Sequence, residues 1–315
     1  MSSNQFVDIG ANLLDDRYQN GVYRGTFRHE PDLDLVLERA QASGVRRIVL
    51  TAGTVTESRQ AVEAARQWNA TYPDIHFSCT VGVHPTRCQQ VFLDGEKPAD
   101  ELLDELLEIA QDGMKDNIVS AVGEIGLDYD RLEFCAKDIQ HEFLVKQLER
   151  LAKPTGLPLF LHNRSVGADL YDILKKHKDC WSAGGVVHSF DDTLSLAMQF
   201  IDDLELYIGL NGCSLRTDQS LAVVKDLPLN RILLETDCPY CEVRKAHPGH
   251  KYIRTEFEAK AEKKFERGKL VKSRQEPCHI VQIAEVIAGV KEIPLEEVAA
   301  QCYQNSMDCF FLRKE

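Results

Sequence analysis

The chain has 315 residues, of which 43% are hydrophobic and 28% are charged, and it contains no low-complexity tract and no internal repeat. This composition predicts a folded, soluble globular protein. The formal net charge of −13 argues against a protein that binds nucleic acid over its whole surface, although the distribution of charge matters more than its sum.

The amino-terminal residues predict an intracellular protein. Residues 1–8 lack a basic region followed by an apolar one, and no apolar run approaches membrane-spanning length. We therefore expect neither secretion nor membrane insertion, and a nuclear or cytoplasmic location. The ten cysteines have no regular spacing, which favours free thiols in a reducing compartment. Cys238 and Cys241 have Cys-x-x-Cys spacing, but no second pair or thioredoxin-like pattern accompanies them, which disfavours a zinc or redox role.

Short apolar runs alternate with amphipathic helices along most of the chain. The predicted strands lie, in chain order, at residues 5–9, 46–51, 75–83, 119–125, 157–161, 185–187, 204–208 and 232–234. Seven predicted helices separate them, at residues 32–42, 58–68, 99–111, 138–153, 168–177, 194–202 and 219–224. Strands that alternate with helices require a parallel sheet, and eight such units predict an α/β fold, a closed (β/α)8 barrel of the TIM type.

A basic segment and two further helices follow the eighth strand. The basic segment runs from Arg244 to Arg274 and has eleven Lys and Arg residues against four Glu. Such a segment can steer a polyanion to one mouth of the barrel or can be only a solvated surface, and charge alone favours neither. The helices are predicted at about 278–288 and 295–311. No linker separates them from the barrel, so we expect residues 1–315 to form one domain.

In a barrel of this type the active site forms at the carboxyl ends of the strands. Six strand ends carry a carboxylate or an imidazole, and glycines 123 and 126 flank one of these carboxylates and allow close approach of backbone or ligand. The six residues are Asp8, His84, Glu124, His162, His188 and Asp237. Imidazole nitrogens and carboxylate oxygens together suit a divalent ion such as Mg²⁺, Mn²⁺ or Zn²⁺.

Several of these residues also have ordinary structural interpretations. Asp8 could accept structural hydrogen bonds, and His84 could contact substrate or stabilise its own loop. Asp237 could cap a helix, although the proline at position 239 and the absence of apolar periodicity after it disfavour that interpretation. Arg131 and Arg164 are candidate phosphate clamps, because a guanidinium group matches phosphate oxygens in bidentate fashion, or they are simple surface charges.

Six short stretches follow one another in the order of the motifs of a known family. They lie at residues 6–13, 81–85, 122–128, 161–164, 187–190 and 234–239. Together they resemble the TatD family of metal-dependent deoxyribonucleases, and the resemblance extends from Phe6 to about Phe311. Residues 211–215 and 252–255 resemble the eukaryotic TatD-domain branch in particular.

The resemblance implies a barrel of the metallo-dependent hydrolase type that hydrolyses DNA phosphodiester bonds with water activated by one or two divalent ions, Mg²⁺ before Mn²⁺ or Zn²⁺. By motif position Glu124 would bind or bridge metal, and His162 and His188 would be imidazole ligands. Asp237 would be a ligand or a catalytic base, and Asp8 a further ligand. The candidate substrate-binding residues are His84, Arg131 and Arg164.

This chain departs from the family pattern at four positions. Gly10 and Asn12 stand where many relatives have histidines, which leaves the first metal site short of two imidazoles. Asn163 and Ile125 replace common cysteines, a change that affects packing rather than chemistry. Asp128, beyond the predicted end of its strand, is expected to be a hydrogen-bonding support rather than a second catalytic acid.

Three functions compete. The first is a deoxyribonuclease, a 3′ to 5′ exonuclease or an endonuclease, with DNA as its partner and with no membrane and no obligate protein partner. The second is a barrel hydrolase acting on a small amide or ester, because the same metal chemistry serves both. The third is a scaffold with a decayed site, against which the retained Glu124, His162, His188 and Asp237 speak.

Overall fold

The structure, a computed structural model, describes residues 4–312. Eight parallel strands form one sheet in the order of the sequence. They are β1 (Phe6–Ala11), β2 (Val45–Leu50), β3 (His76–Val81), β4 (Val119–Asp128), β5 (Leu159–Arg164), β6 (Gly185–His188), β7 (Tyr207–Leu210) and β8 (Ile232–Leu234). A bridge between Ala11 and Cys238 brings the first and last strands together. The predicted (β/α)8 barrel is confirmed.

Helices surround the barrel. Asp16–Gln19 and Lys153–Thr155 form short helices of three or four residues. Among residues 4–312, seven longer helices follow strands β1 to β7 in turn, and two more follow β8. They are α1 (Leu33–Ala42), α2 (Val55–Thr71), α3 (Ala99–Met114), α4 (Lys137–Gln147), α5 (Asp169–Lys176), α6 (Leu194–Asp202), α7 (Asp218–Asp226), α8 (Ile280–Lys291) and α9 (Leu295–Phe310). Helix α4 continues through a π-helical turn at Leu148–Ala152. Small two-residue strands pair at 22–23 with 26–27 and at 259–260 with 270–271.

The apolar pattern of the sequence accounts for this arrangement. Every residue of β1 is buried, as expected for a sheet that is covered on both faces. Helix α3 buries Leu103, Leu106 and Ile109 on one stripe and carries acidic residues in its first turn, where they oppose the positive end of the helix dipole. Helix α9 contributes Cys309 and Phe310 to a core cluster formed by five barrel strands. The carboxyl-terminal helix therefore shares the core of the barrel.

Strand β4 is longer than predicted, because its pairing with β5 continues beyond Ile125. Gly126 lies opposite His162, and Asp128 lies opposite Arg164. Gly126 has a φ of 145°, and a Cβ atom there would lie 2.1 Å from the carbonyl oxygen of His162. Only glycine therefore allows the two strands to meet at this point. Asp128 lies inside the strand, not just beyond it as predicted.

Strand β7 begins later than predicted. Leu204 and Leu206 are buried, but they pack at the end of helix α6, where the Leu206 N–H donates to the Phe200 carbonyl oxygen at 3.0 Å. Their apolar character reflects contact with the helix end, and the ladder to β8 begins only at Ile208. Within residues 4–312, every helix is too short or too polar to cross a lipid bilayer.

Candidate metal centre

Glu124 lies among three imidazoles at the carboxyl rim of the barrel. Its Oε1 atom is 2.6 Å from Nδ1 of His162 and 2.8 Å from Nε2 of His188. Nε2 of His84 lies 3.4 Å from the same oxygen, and all four side chains are mostly buried. His162 and His188 stand directly opposite each other in the register of β5 and β6. The parallel sheet therefore brings these predicted residues to one place.

Charges in this cluster are strongly coupled. Burial alone would raise the pKa of Glu124, but the charges of His188 and His84 and the hydrogen bonds with His162 and His188 hold that pKa well below its usual range. Burial lowers the pKa of His188, yet the Glu124 and Glu235 carboxylates outweigh burial and raise it well above the ordinary value. His84 differs, because burial dominates and lowers its pKa. Glu124 is therefore ionised, and His188 must lose a proton before it can bind a cation.

Asp128 supports the ring of His162. Its Oδ2 atom lies 3.2 Å from Nε2 of His162, and its Oδ1 atom accepts the Asp130 N–H at 3.0 Å. Burial would raise the pKa of Asp128, but the hydrogen bond to His162 outweighs it and lowers that pKa. A carboxylate on the second nitrogen fixes the orientation of a ligating histidine. The geometry therefore favours the supporting role predicted for Asp128.

Glu235 is a buried carboxylate to which we assigned no role from the sequence. Its Oε2 atom faces Nδ1 of His188 at 3.4 Å, and its Oε1 atom accepts the Ser189 N–H and, at 3.1 Å, an N–H of Asn211. Within residues 4–312, Glu235 Oε2 and His188 Nδ1 complete no hydrogen bond. The sequence carries a signal for Glu235, because this residue directly follows the apolar strand β8, two residues before the predicted Asp237.

Asp237 is held by partners on both oxygens. Asn12 donates to Oδ1 at 3.0 Å and the Cys241 thiol to Oδ2 at 3.1 Å. Burial raises the pKa of Asp237 to about 6; the charge of His188 opposes the rise, and the neighbouring carboxylates Glu235 and Glu124 add to it. Asn12, which stands where many relatives have a histidine, thus orients a carboxylate that titrates close to neutral pH.

The carboxylate of Asp8 is occupied by structural hydrogen bonds. Its Oδ1 atom accepts the N–H groups of Thr236 at 2.9 Å and Gly10 at 3.3 Å, and its Oδ2 atom accepts the Thr236 hydroxyl at 2.6 Å. Burial raises the pKa of this carboxyl to about 7, while the bonds from Thr236 oppose the rise. These contacts favour the interpretation of Asp8 as a structural acceptor, and its role as a ligand stays a prediction.

The two predicted phosphate clamps lie in different surroundings. Arg164 pairs with Asp191 at 3.2 Å and with Asp130 at 3.4 Å, and it lines a cavity of about 350 Å³ formed by the loops after β4, β5, β6 and β7. Arg131 is 58% exposed, and its guanidinium lies 3.9 Å from Asp128. Phosphate binding by either arginine stays a prediction.

The basic segment divides into paired and exposed cations. Arg274 is fully buried between Asp32 and Glu276 and cannot face a ligand. Arg267, Lys269 and Lys260 pair with acidic neighbours. The other seven cations of the segment are exposed, namely Arg244, Lys245, Lys251, Arg254, Lys263, Lys264 and Lys272. Only part of the predicted charge is therefore open to a polyanion.

The donor set at the rim fits a divalent cation. One ligand atom from each of His84, Glu124 and His162 can be chosen so that all lie within 4.8 Å of one another. Among residues 4–312, no lysine or arginine forms an ion pair with Glu124, Glu235 or Asp237. The carboxylates thus lack a permanent positive partner, a charge that a metal ion supplies.

A closed (β/α)8 barrel with imidazoles and carboxylates gathered at its carboxyl rim defines a metallo-dependent hydrolase. The family model for TatD related DNase matches residues 7–311, and the chain belongs to this family.

Similar proteins agree with this assignment. The chain is 38% identical over 310 residues to "Deoxyribonuclease Tat-D" of Schizosaccharomyces pombe, covering 98% of this chain and 96% of that one. It is 32% identical over 288 residues to "3'-5' ssDNA/RNA exonuclease TatD" of Edwardsiella piscicida, covering 90% of each. The crystal structure of a TatD family hydrolase from Entamoeba histolytica superposes with a TM-score of 0.89 at 37% identity, covering 99% of both chains. The predicted family resemblance is confirmed.

Proposed function

We propose that this protein is a metal-dependent deoxyribonuclease that hydrolyses phosphodiester bonds of DNA. The proposal is carried by one observation, the Glu124 carboxylate surrounded by three imidazoles at the barrel rim. Family membership supplies the substrate class, because relatives along nearly the whole chain are named deoxyribonucleases. A small amide or ester substrate has less support, since none of these relatives is named for one.

Glu124, His84, His162 and His188 would hold the ion, with Asp237 as a further ligand and room for one or two ions. When bound, a divalent ion supplies a nucleophilic hydroxide at neutral pH and relieves the charge of the phosphoryl oxygens. The family resemblance favours Mg²⁺, but three imidazole donors suit Zn²⁺ better than Mg²⁺. We therefore include all three ions in the proposal, and the rate of DNA cleavage with each ion decides among them.

The remaining residues orient groups and move a proton. Asp237, whose pKa is about 6, is ionised at neutral pH and can accept a proton from water within hydrogen-bond reach. Asn12 and the Cys241 thiol fix the direction of its two oxygens. Glu235 and Asp128 face the second nitrogens of His188 and His162 and keep both rings in place.

Substrate contacts are proposed at the rim cavity. The guanidinium of Arg164, now paired with Asp191, would exchange that carboxylate for a phosphate oxygen of the DNA backbone. Exposed cations of the basic segment would guide the strand toward the rim, and their contribution would weaken as salt concentration rises. We propose cleavage from 3′ ends, the activity named for the Edwardsiella piscicida relative. An intracellular, nuclear or cytoplasmic location completes the proposal, and it is supported by ten free cysteines.

The test uses purified protein with 5′-labelled linear DNA and with circular DNA, in buffers containing Mg²⁺, Mn²⁺, Zn²⁺ or a chelator. We expect stepwise shortening of the linear strand, an intact circle, and no cleavage with chelator. Nicking of the circle would establish an endonuclease instead. Absence of cleavage with every ion, together with turnover of a nitrophenyl ester, would overturn the proposal in favour of the small-ester hydrolase.

A matched pair of variants tests the proton acceptor. Asp237→Asn keeps the shape of the side chain but removes the charge and one of the two acceptor oxygens, so cleavage should fall while the thermal unfolding temperature stays close to that of the wild type. Asp172→Asn changes an exposed carboxylate on helix α5 and should cleave like the wild type. Wild-type turnover by Asp237→Asn would remove Asp237 from the mechanism.

A further inference from the structure

Two cysteine side chains from different loops meet next to the metal centre. Cys213 begins the short turn after β7, and Cys241 lies in the loop after β8. Their Sγ atoms are 2.7 Å apart, although both are free thiols. Parallel strands bring these loops together at the carboxyl rim, so the pairing of the thiols is a consequence of the barrel order.

The surroundings of the two sulfurs favour oxidation chemistry. A guanidinium N–H of Arg216 lies 2.7 Å from the sulfur of Cys213. The hydrogen bond between the two sulfurs lowers the pKa of Cys213, burial opposes this effect, and the charge of Arg216 adds to the lowering. A thiolate beside a positive charge is the reactive form of cysteine. Cys241 is the more exposed member of the pair, so a small oxidant can approach from its side.

The Cys-x-x-Cys spacing of the sequence is not what creates this pair. Cys238 is fully buried, and burial raises the pKa of its thiol far above the ordinary value. The sulfur contact of Cys241 is instead with Cys213, which is 28 residues away in the chain. The Cys-x-x-Cys spacing therefore does not identify the partner of Cys241, which is a residue of another loop.

We propose that Cys213 and Cys241 are a site of reversible oxidation, at which a hydroperoxide converts the two thiols into a disulfide. The Cys213 thiolate attacks a peroxide oxygen, the O–O bond breaks, and the departing hydroxide takes up the proton that Cys213 had released. The Cys241 sulfur then attacks the resulting sulfenic acid, the S–O bond breaks, and the hydroxyl leaves with the Cys241 proton as a second water. Two thiols are oxidised and one hydrogen peroxide is reduced to two waters.

Oxidation at this site reaches the metal centre through Asp237. The Cys241 thiol donates to Oδ2 of Asp237 at 3.1 Å, and a disulfide has no hydrogen to donate. The same bond would fasten the loop after β7 to the loop after β8. We expect DNA cleavage by the oxidised protein to slow several-fold, an effect that rests on the proposed function, whereas formation of the disulfide does not.

The test treats the purified full chain with hydrogen peroxide, blocks the remaining thiols and maps the tryptic peptides by mass spectrometry. Cys213 falls in the peptide 179–216 and Cys241 in the peptide 232–244. We expect a cross-link between these peptides that dithiothreitol reverses. A disulfide closed within 232–244, between Cys238 and Cys241, would overturn the proposal, as would recovery of both peptides unlinked.

Two variants identify the cysteine in the longer peptide, because 179–216 also contains Cys180. Cys213→Ser should lose the cross-link, and Cys180→Ser should keep it; the opposite pattern would assign the bond to Cys180 and contradict us. A nuclease assay on the same samples then distinguishes the effect of oxidation through Asp237 from the proposed nuclease function. Unchanged cleavage by cross-linked protein would overturn the link to Asp237, whereas inactivity of reduced protein would count against the proposed function alone.

Discussion

The molecule buries two clusters of charged side chains, one beside helix α1 and one at the carboxyl rim of the barrel. The first, here named the Arg274 cluster, consists of Arg274, Arg39, Asp32 and Glu276. Arg274 donates to Asp32 at 2.6 and 2.7 Å and to Glu276 at 2.9 Å, and Arg39 donates to Glu276 at 2.8 Å. Two guanidinium groups thus face two carboxylates, and the charges balance.

The second, here named the Glu124 cluster, consists of Glu124, Glu235, His84, His162 and His188. It contains carboxylates and imidazoles but, among residues 4–312, no paired lysine or arginine. Burial is severe in both places, so the difference lies in the kind of positive partner. A permanent cation such as arginine gives a closed structural cluster, whereas imidazoles can release their protons and leave a site for a metal ion.

The largest effect is expected from Glu124→Gln, because this carboxylate contacts all three imidazoles of its cluster. The change keeps the shape of the side chain but removes its charge. Loss of a residue that only supports a metal ligand lowers activity by up to about 100-fold, so we expect loss of the Glu124 charge to lower cleavage by more than that. Single-turnover cleavage of labelled DNA measures the effect.

The matched control for this variant is Glu149→Gln, an exposed glutamate remote from the rim. It should cleave at the wild-type rate and unfold at the wild-type temperature. If Glu124→Gln were as active as this control, the Glu124 cluster would have only a structural role, like the Arg274 cluster, and the proposed difference between the two clusters would be wrong.

Arg274→Ala should affect stability rather than chemistry. Removal of one partner leaves Asp32 and Glu276 buried with too little positive charge, which costs about 3–5 kcal/mol of unfolding free energy. Arg267→Ala breaks an ion pair with Asp34 in which the side chains are 58% and 47% exposed, and it should cost only about 0.2–1 kcal/mol. Urea unfolding measures both values. Equal losses would show that burial of the Arg274 cluster contributes nothing.

Glu235→Gln should weaken metal binding without abolishing it. Glu235 faces the nitrogen of His188 that points away from Glu124, so its removal should loosen the ring and lower metal affinity by about 10- to 100-fold. Equilibrium dialysis with Mn²⁺ measures the affinity. Glu285→Gln is the control, because Glu285 is buried but accepts hydrogen bonds from Arg254 and Thr255 outside the rim; an equal loss of affinity there would point to general destabilisation.

The most gradual effect is a dependence of metal affinity on pH. Burial lowers the pKa of His162 and His188, but nearby carboxylates outweigh burial and raise both pKa values above the ordinary one. Protons therefore compete with the ion up to neutral pH, and affinity should rise with pH by about tenfold per unit for each proton displaced. Calorimetry in buffers of different ionisation enthalpy detects the released protons. A metal affinity that did not change between about pH 6 and about pH 8 would contradict this prediction.

The fold could be predicted from the sequence because its signals are local and repeated. Each apolar run, together with the amphipathic helix that follows it, predicts one β/α unit of the barrel. Residues at the end of a run, such as Glu124 and His188, are then expected at the carboxyl rim, because the active site of such a barrel forms there. His84 illustrates the limit of the rule. Its position after β3 is compatible with a substrate contact or with a histidine that stabilises its own loop, and only the three-dimensional arrangement places its Nε2 atom 3.4 Å from Glu124.

What could not be predicted depends on contacts between distant segments. The burial of Arg274 follows from its partner Asp32, 242 residues away, so its charge appeared to belong to an open basic surface. The meeting of Cys213 with Cys241 likewise requires two loops to be placed side by side. Glu235 and Asp237 both lie within three residues of the end of β8, and only the side-chain directions assign one to His188 and the other to Asn12.

Contacts between the first strand and the residues after the last strand determine when the barrel can close during synthesis of the chain. Asp8 binds Thr236 across 228 residues, and Asn12 binds Asp237 across 225. A ribosome must therefore release more than two thirds of the chain before the barrel can close. Contacts between such distant residues form late and slow the folding of a chain. Nascent chains that stop before residue 236 should accordingly lack both bonds and leave the edges of the first and last strands unpaired.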